Sequence, residues 1–249
     1  MATRFADTVE IAKAIPVVRE NDRQTVADAR GIEPRSRSHG VNRAINVVLA
    51  SAALIVASPV MLVFAALVKL TSPGPIFYSQ ARVGIDRRRT GRGGHQYDRR
   101  AQDVGGLPFI IYKFRSMYVD AESGSGAVWA TEGDPRITAV GRIMRKCRID
   151  EVPQLINVIR GDMNIVGPRP ERPVIFSRLS RDIAEYPLRQ RAKPGITGWA
   201  QINHSYDRCI DDVRTKVQYD LEYLKRQGVK EDLRIIARTV PVVIFGRGW

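Results

Sequence analysis

The sequence predicts an α/β fold: a helix-rich cytoplasmic body with a small sheet, an N-terminal re-entrant membrane hairpin and interfacial amphipathic helices. Three observations carry this. Residues 44–68 are an apolar run in which Asn46, Ser51 and Ser58 are the only polar side chains. Short strand-like runs at 76–78 and 109–112 follow it. From Ile137 onward, apolar residues recur at helical spacings of three and four.

The chain divides into a polar tail (1–40), a re-entrant membrane helix (41–70) and a cytoplasmic domain (71–249). The tail has mixed charge and lacks the layout of a signal peptide, with a short helix expected at 9–15. A helix over 44–68 would reach roughly 37 Å, enough to cross the hydrocarbon layer. Ser58 and Pro59 sit near its middle, and proline removes a backbone donor, so the expected form is helix–break–helix. Both flanks are basic: Arg35, Arg37 and Arg43 precede the run, and Lys69, Arg82 and Arg87 follow it. A spanning helix concentrates its cations on one side, so a hairpin with both ends cytoplasmic fits better. A kinked transmembrane helix is the alternative these features leave open.

Beyond the membrane segment, Ser72, Pro73, Gly74 and Pro75 form a turn by composition, and the glycine- and arginine-rich stretch 87–106 reads as a long exposed loop. Ile137, Val140, Met144 and Cys147 outline a helix whose other faces carry Arg142, Arg145, Lys146 and Arg148. Such a basic amphipathic helix suits a membrane surface, although an ordinary surface helix has the same pattern. A second helix is expected from Asp150 to a stop at Gly161, a long polar one over 211–227, and an amphipathic one over 231–245 interrupted at Pro241. Cys147 and Cys209 have neither metal-ligand nor disulfide spacing and read as small buried hydrophobes.

The net charge of +14, from 40 Lys and Arg against 26 Asp and Glu, calls for an anionic partner. Four constellations supply candidate chemistry. Asp150 and Glu151 open a helix, where the macrodipole favours an anion and free N–H groups favour a phosphate. An Asp there has the means to attack phosphorus, and it is equally a good N-cap. Lys113 and Arg115 alternate with Phe114, so both cations can share one face of a strand and grip phosphate. Pro168 and Pro170 restrict the backbone around Arg169. The loop 193–199, with Pro194, Gly195, Gly198 and Trp199, is tight and aromatically anchored.

In this order and spacing the chain resembles the monotopic phosphoglycosyl transferases, the bacterial sugar transferases of glycan and exopolysaccharide assembly. The likeness runs from about Arg43 to the C-terminus. It includes Ser58 and Pro59, the turn 72–75, the run 113–117, Asp134 to Arg136, Asp150 to Gln154, the stretch 161–170 and the loop 193–201. The segments 218–223 and 245–248 look most like members from exopolysaccharide clusters.

The resemblance implies a transfer of sugar-1-phosphate from a UDP-sugar to polyprenyl (undecaprenyl) phosphate, the first membrane step of exopolysaccharide assembly. Asp150 would be the nucleophile that carries the phosphosugar covalently, and Glu151 would complete the dyad. Both would help hold Mg2+. Lys113, Arg115 and Arg145 would clamp phosphates, and Pro168, Arg169 and Pro170 would face the nucleotide. The hairpin break at Ser58 and Pro59 would hold the enzyme in one leaflet, at the cytoplasmic face of the bacterial inner membrane. The implied partners are UDP-sugar, polyprenyl phosphate and the membrane, with no nucleic acid and with room for a homo-oligomer. Two features depart from the family pattern: the loop 87–104 is longer and more basic, and Asn46 stands where an acidic residue is common. A nucleic-acid binder leaves the apolar run unexplained. A catalytically silent membrane scaffold leaves the Asp150–Glu151 pair unexplained.

Overall fold

The computed structural model describes residues 33–86, 106–123, 133–204 and 209–244. The helix expected at 9–15, the basic loop 87–104 and the segment 245–248 lie outside these residues.

The apolar run forms α1, His39–Thr71, a single helix of 33 residues. Helical hydrogen bonding runs through the expected break at Ser58 and Pro59, because the acceptor that Pro59 leaves without a donor is satisfied locally. Without an N–H, Pro59 cannot bond the carbonyl four residues back, which is that of Ile55. The Ser58 hydroxyl donates to that oxygen instead, at 2.7 Å. In its backbone α1 therefore stays helical through a proline that favours a bend there. It is long and apolar enough to cross a membrane, and only 6% of its most apolar window is buried against the rest of the protein.

What α1 does bury is spread along its length. Near its start, Asn46 accepts a hydrogen bond from the Ile165 backbone N–H (2.7 Å), and Ala50 packs with Ile111, Val158 and Met163. Near its end, Val68 packs with Phe114 and Met144, beside Met61, Phe64 and Ala65. Both ends thus rest on the same body.

Strands β1 (Phe77–Val83) and β2 (Pro108–Phe114) pair antiparallel, with Tyr78 opposite Lys113 and Arg82 opposite Phe109. Both extend the expected runs. Helix α2 (Ala139–Lys146) is capped by Thr138, whose side chain accepts from the Gly141 N–H at 2.9 Å. Gly141 lies against the Ser116 carbonyl so closely that a Cβ would collide with it. Met144 is fully buried and Val140 packs beside it, whereas Ile143 is 57% exposed among the exposed Arg142 and Lys146.

Cys147 does not continue the buried face. It lies on the turn after α2 and is exposed, as is Cys209 just before the helix Ile210–Arg226, so neither is a core residue. The helix expected from Asp150 divides into a 3-10 turn (Ile149–Glu151) and α3 (Gln154–Arg160), which ends as expected at Gly161 in the left-handed region (φ 93°). Asp150 is therefore inside a tight turn and is not an N-cap, because Pro153 occupies the capping position of α3.

A second small sheet was not legible in the sequence. Strand β3 (Asn164–Val166) pairs in parallel with β4 (Gly195–Thr197), and between them lie α4 (Pro173–Asp182) and a 3-10 helix (Tyr186–Arg191). Helices α5 (Trp199–Asn203), α6 (Ile210–Arg226) and α7 (Val229–Ile244) complete the body. Pro241 does not interrupt α7. It falls three residues before the end, where one lost hydrogen bond is tolerated. The largest core joins Phe176, Leu179, Tyr186 and Leu188 to Val213, Val217 and Leu221 of α6.

Candidate active site

Asn157 fixes α3 to the first sheet. Its side-chain oxygen accepts from the Tyr112 N–H (3.1 Å), and its amide donates to the Ile110 carbonyl (2.7 Å). At the other end of α3, Arg43 of α1 donates to the Val158 and Ile159 carbonyls, and Lys193 donates to that of Gly161 at 2.9 Å. Cations at a helix C-terminus suit both the free carbonyls and the dipole. The turn that precedes α3 is thereby held against β2, with Asp150 and Glu151 each only 6% exposed.

Glu151 is the hub. Its Oε1 accepts from Lys113 Nζ (2.8 Å) and Arg169 Nη2 (2.6 Å), and its Oε2 accepts from Arg169 Nη1 (3.2 Å). Arg148 stands farther off, 3.9 Å from Oε2. Burial alone would raise the Glu151 pKa, but Arg169 and Lys113, then Arg148, hold it well below the ordinary carboxylate range.

Asp150 has the opposite surroundings. Burial raises its pKa first and the Glu151 charge raises it further, against partial relief from Lys113, Arg145 and Arg148. Its Oδ1 is buried with no hydrogen-bond partner, and so is Nη1 of Arg145. A buried carboxylate oxygen and a buried guanidinium nitrogen, both unmatched, leave bonding capacity that a ligand can complete.

The loop 168–170 is tied down at every residue. The Pro168 carbonyl accepts from the Gly195 N–H (3.0 Å), that of Arg169 from Arg189 Nη2 (3.2 Å), and that of Pro170 from Arg82 Nη1 (3.2 Å). Arg189 is itself fully buried on Asp220 of α6 (Nε to Oδ2, 2.8 Å) and donates to the Tyr186 hydroxyl (2.8 Å). Arg82 also pairs with Glu171 at 3.2 Å.

The structure brings Lys113, Arg145, Asp150, Glu151 and Arg169 together, and Pro168 and Pro170 frame Arg169. Arg115 is placed elsewhere. It is 5% exposed and donates to the Ser72 carbonyl and hydroxyl (2.8 Å each), to Pro73 and, at 3.5 Å, to Val68. It caps the C-terminus of α1 and does not reach a phosphate. The alternation with Lys113 misled because Arg115 lies one residue past the strand, where the pleat no longer fixes its direction. Arg115→Ala is expected to cost about 3 kcal/mol, because it strands several buried carbonyls. The check is thermal unfolding in detergent, where a melting temperature unchanged from wild type contradicts the capping role.

Arg82, Arg148, Arg189 and Asp220 were missed. Arg148 occupies a left-handed backbone conformation (φ 55°), which no sequence pattern announces for an arginine. Arg189 and Asp220 are 31 positions apart, and although Asp220 lies in the segment 218–223, nothing local pairs it with Arg189.

Among the described residues no group of three or more His, Cys, Asp or Glu is arranged for a metal. Asp150 Oδ1, buried and without a hydrogen-bond partner, fits as a protein oxygen ligand. Both Glu151 oxygens are committed to cations, so Glu151 does not fit as a ligand in this arrangement.

The family model for bacterial sugar transferases matches residues 37–246. The UDP-N-acetylgalactosamine-undecaprenyl-phosphate N-acetylgalactosaminephosphotransferase of Aeromonas hydrophila is 39% identical over 208 residues, covering 84% of this chain and 44% of that protein. The UDP-glucose:undecaprenyl-phosphate glucose-1-phosphate transferase of Escherichia coli K12 is 39% identical over 207 residues, covering 81% of this chain and 40% of that protein. The exopolysaccharide production protein ExoY of Rhizobium meliloti is 34% identical over 210 residues, covering 83% and 86%. The chain thus spans less than half the length of the first two relatives and most of the third.

Proposed function

We propose, because the chain belongs to the bacterial sugar transferase family, that it moves a sugar-1-phosphate from a UDP-sugar to undecaprenyl phosphate in exopolysaccharide assembly. The observation that carries this is the unpartnered, buried Oδ1 of Asp150 beside a cluster of cations gathered on Glu151.

The reaction has two displacements. An Asp150 carboxylate oxygen attacks the sugar-bearing phosphorus of the donor, the bond to the other phosphate breaks, and UMP leaves with that electron pair. A phosphate oxygen of the lipid then attacks the same phosphorus, the Asp150–phosphorus bond breaks, and the carboxylate is regenerated with the sugar diphospholipid. Glu151 does not react. It fixes Lys113 and Arg169 where charge builds on the phosphoryl oxygens, and such preorganised cations stabilise the transition state without reorganising. Arg145, with a buried donor to spare, stands ready for the same oxygens. Asp150 would be the residue that holds magnesium, which would offset negative charge on the phosphates.

A location at the cytoplasmic face, with both ends of α1 on one side, is supported by the way both ends pack on the same polar body. A body of this polarity cannot follow the helix into hydrocarbon. The exposed Ile143, between Arg142 and Lys146, suits contact of α2 with the headgroups.

The test is UMP release from UDP-glucose, UDP-galactose and UDP-N-acetylgalactosamine with magnesium and undecaprenyl phosphate. Release with one donor, dependent on the lipid for continued turnover, is expected. No release with any donor removes the reading and leaves a silent scaffold.

The pH profile follows from the dyad. Asp150 must be ionised to attack, and its pKa is raised by burial and then by Glu151. Activity should therefore fall on acidification at a pH above the ordinary aspartate value. Glu151→Gln removes one of the raising causes, so the residual activity of that variant should hold to lower pH. An acid limb at the same pH in both proteins argues against Asp150 as the titrating group.

A further inference from the structure

Two aromatic side chains stand exposed at the start of β1, and they are not equivalent. The Phe77 ring is stacked on Phe114, with 5.1 Å between centroids. Tyr78, on the opposite face of the strand, is 42% exposed, and its hydroxyl accepts from Gln80 Nε2 at 2.9 Å. It takes no part in the two displacements described above.

Its face of β1 is the face of the site. Tyr78 is the register partner of Lys113, whose Nζ holds Glu151, and directly opposed residues project from the same side of a sheet. Gln80 and Arg82 follow on that face. Gln80 Oε1 accepts from Arg82 Nη2 at 2.7 Å, and Arg82 Nη1 goes on to the Pro170 carbonyl and Glu171 at 3.2 Å each. The hydroxyl is thus tied along the strand, away from the Lys113 end and toward the loop that carries Arg169. Arg172 and Glu122, paired at 2.8 and 2.7 Å, are near enough for their charges to bear on it too. An aromatic ring held by its hydroxyl and left open at the edge of a cationic cluster suits a flat partner that arrives attached to a phosphate.

We infer that Tyr78 is the platform on which the uracil ring of the donor stacks. This rests on the reading of the chain as a UDP-sugar transferase. The two ends of such a donor differ in their distance from the reacting phosphorus. The sugar is bonded to that phosphate, whereas the base is separated from it by a second phosphate and a ribose. A ring that starts beside Lys113 and leans toward the Arg82 end of the strand is placed for the remote end. Stacking uses the ring and not the hydroxyl, so phenylalanine should serve as well as tyrosine.

The test uses the full chain in detergent with Tyr78→Ala and Tyr78→Phe, whose melting temperatures check that both fold. Dissociation constants are measured for UMP and for ribose 5-phosphate, which lacks the base. Tyr78→Ala is expected to weaken UMP binding roughly ten- to hundredfold, the scale of one base stacked on an aromatic ring, and to leave ribose 5-phosphate unchanged. Tyr78→Phe should bind UMP like wild type, and the donor KM should follow the same order while the lipid KM stays. Equal losses for both ligands mean a disturbed phosphate cluster, an unchanged UMP constant means no contact with the base, and a donor KM that rises alone puts the sugar on the ring; each overturns the inference. So does a lipid KM that rises in place of the donor KM. Wild-type protein that neither binds UMP nor releases it from any UDP-sugar overturns the transferase reading beneath it instead.

Discussion

Asp150→Asn is expected to lower UMP release at least about 10^4-fold, the usual scale for removing a nucleophile, while leaving the fold as stable as wild type or more so. The two halves of this result come from one environment. Burial and the neighbouring Glu151 charge raise the Asp150 pKa, so the folded protein favours the protonated carboxyl. A carboxyl with a raised folded pKa contributes stability below its unfolded pKa, and this is lost as pH rises through the folded value. At neutral pH an ionised Asp150 therefore weighs against folding, and asparagine removes that burden with almost the same shape. Thermal unfolding at neutral pH should show no fall in melting temperature, and any gain should vanish at acid pH, where Asp150 takes up its proton. A marked fall at neutral pH would mean that Asp150 holds the fold together. UMP release persisting near the wild-type rate would remove it as nucleophile.

Glu151→Ala should behave differently, losing both stability and activity. Glu151 has a depressed pKa, so its contribution is present above the unfolded value and fades as pH falls through the folded one. Removing it leaves Lys113 and Arg169 without the carboxylate that holds them, a loss of about 3–5 kcal/mol for a broken buried pair. For a chain of this size that is a drop of roughly 10 °C in melting temperature. Transfer should fall about 10^3-fold, because the cations are no longer aimed at the phosphoryl group. Glu151→Gln keeps the shape without the charge, and its melting temperature should lie between those of wild type and Glu151→Ala. A Glu151→Ala protein as stable as wild type would show that the cations find other anchors.

The paired contrast reflects how much of the site was legible in the sequence. Asp150 and Glu151 announced themselves by motif, and so did Lys113 and the prolines around Arg169, because short-range backbone restrictions write themselves into adjacent letters. Arg115 carried the same kind of signal and was misassigned, since whether a cation caps a helix or meets a phosphate is decided by tertiary direction. The Arg189–Asp220 pair and the parallel β3–β4 pairing join segments about 30 residues apart, and no local pattern marks such partners. That the backbone stays helical through Pro59 has a smaller reason. The serine before the proline supplies the missing donor, a compensation visible only once the hydroxyl has a direction.

Helix α3 is seven residues long, too short to persist alone in water. Its last carbonyls are held by Arg43, and its Val158 packs on Ala50, both from α1. The turn that carries Asp150 and Glu151 is therefore finished by the same segment that is long and apolar enough to cross a membrane. During synthesis the anchor emerges first, and the turn can mature only when the rest of the chain folds back onto it. A fragment cut after α1 would keep Asp150 and Glu151 and lack the segment that finishes their turn, so in the proposed reading α1 is part of the site's scaffold and not merely its tether.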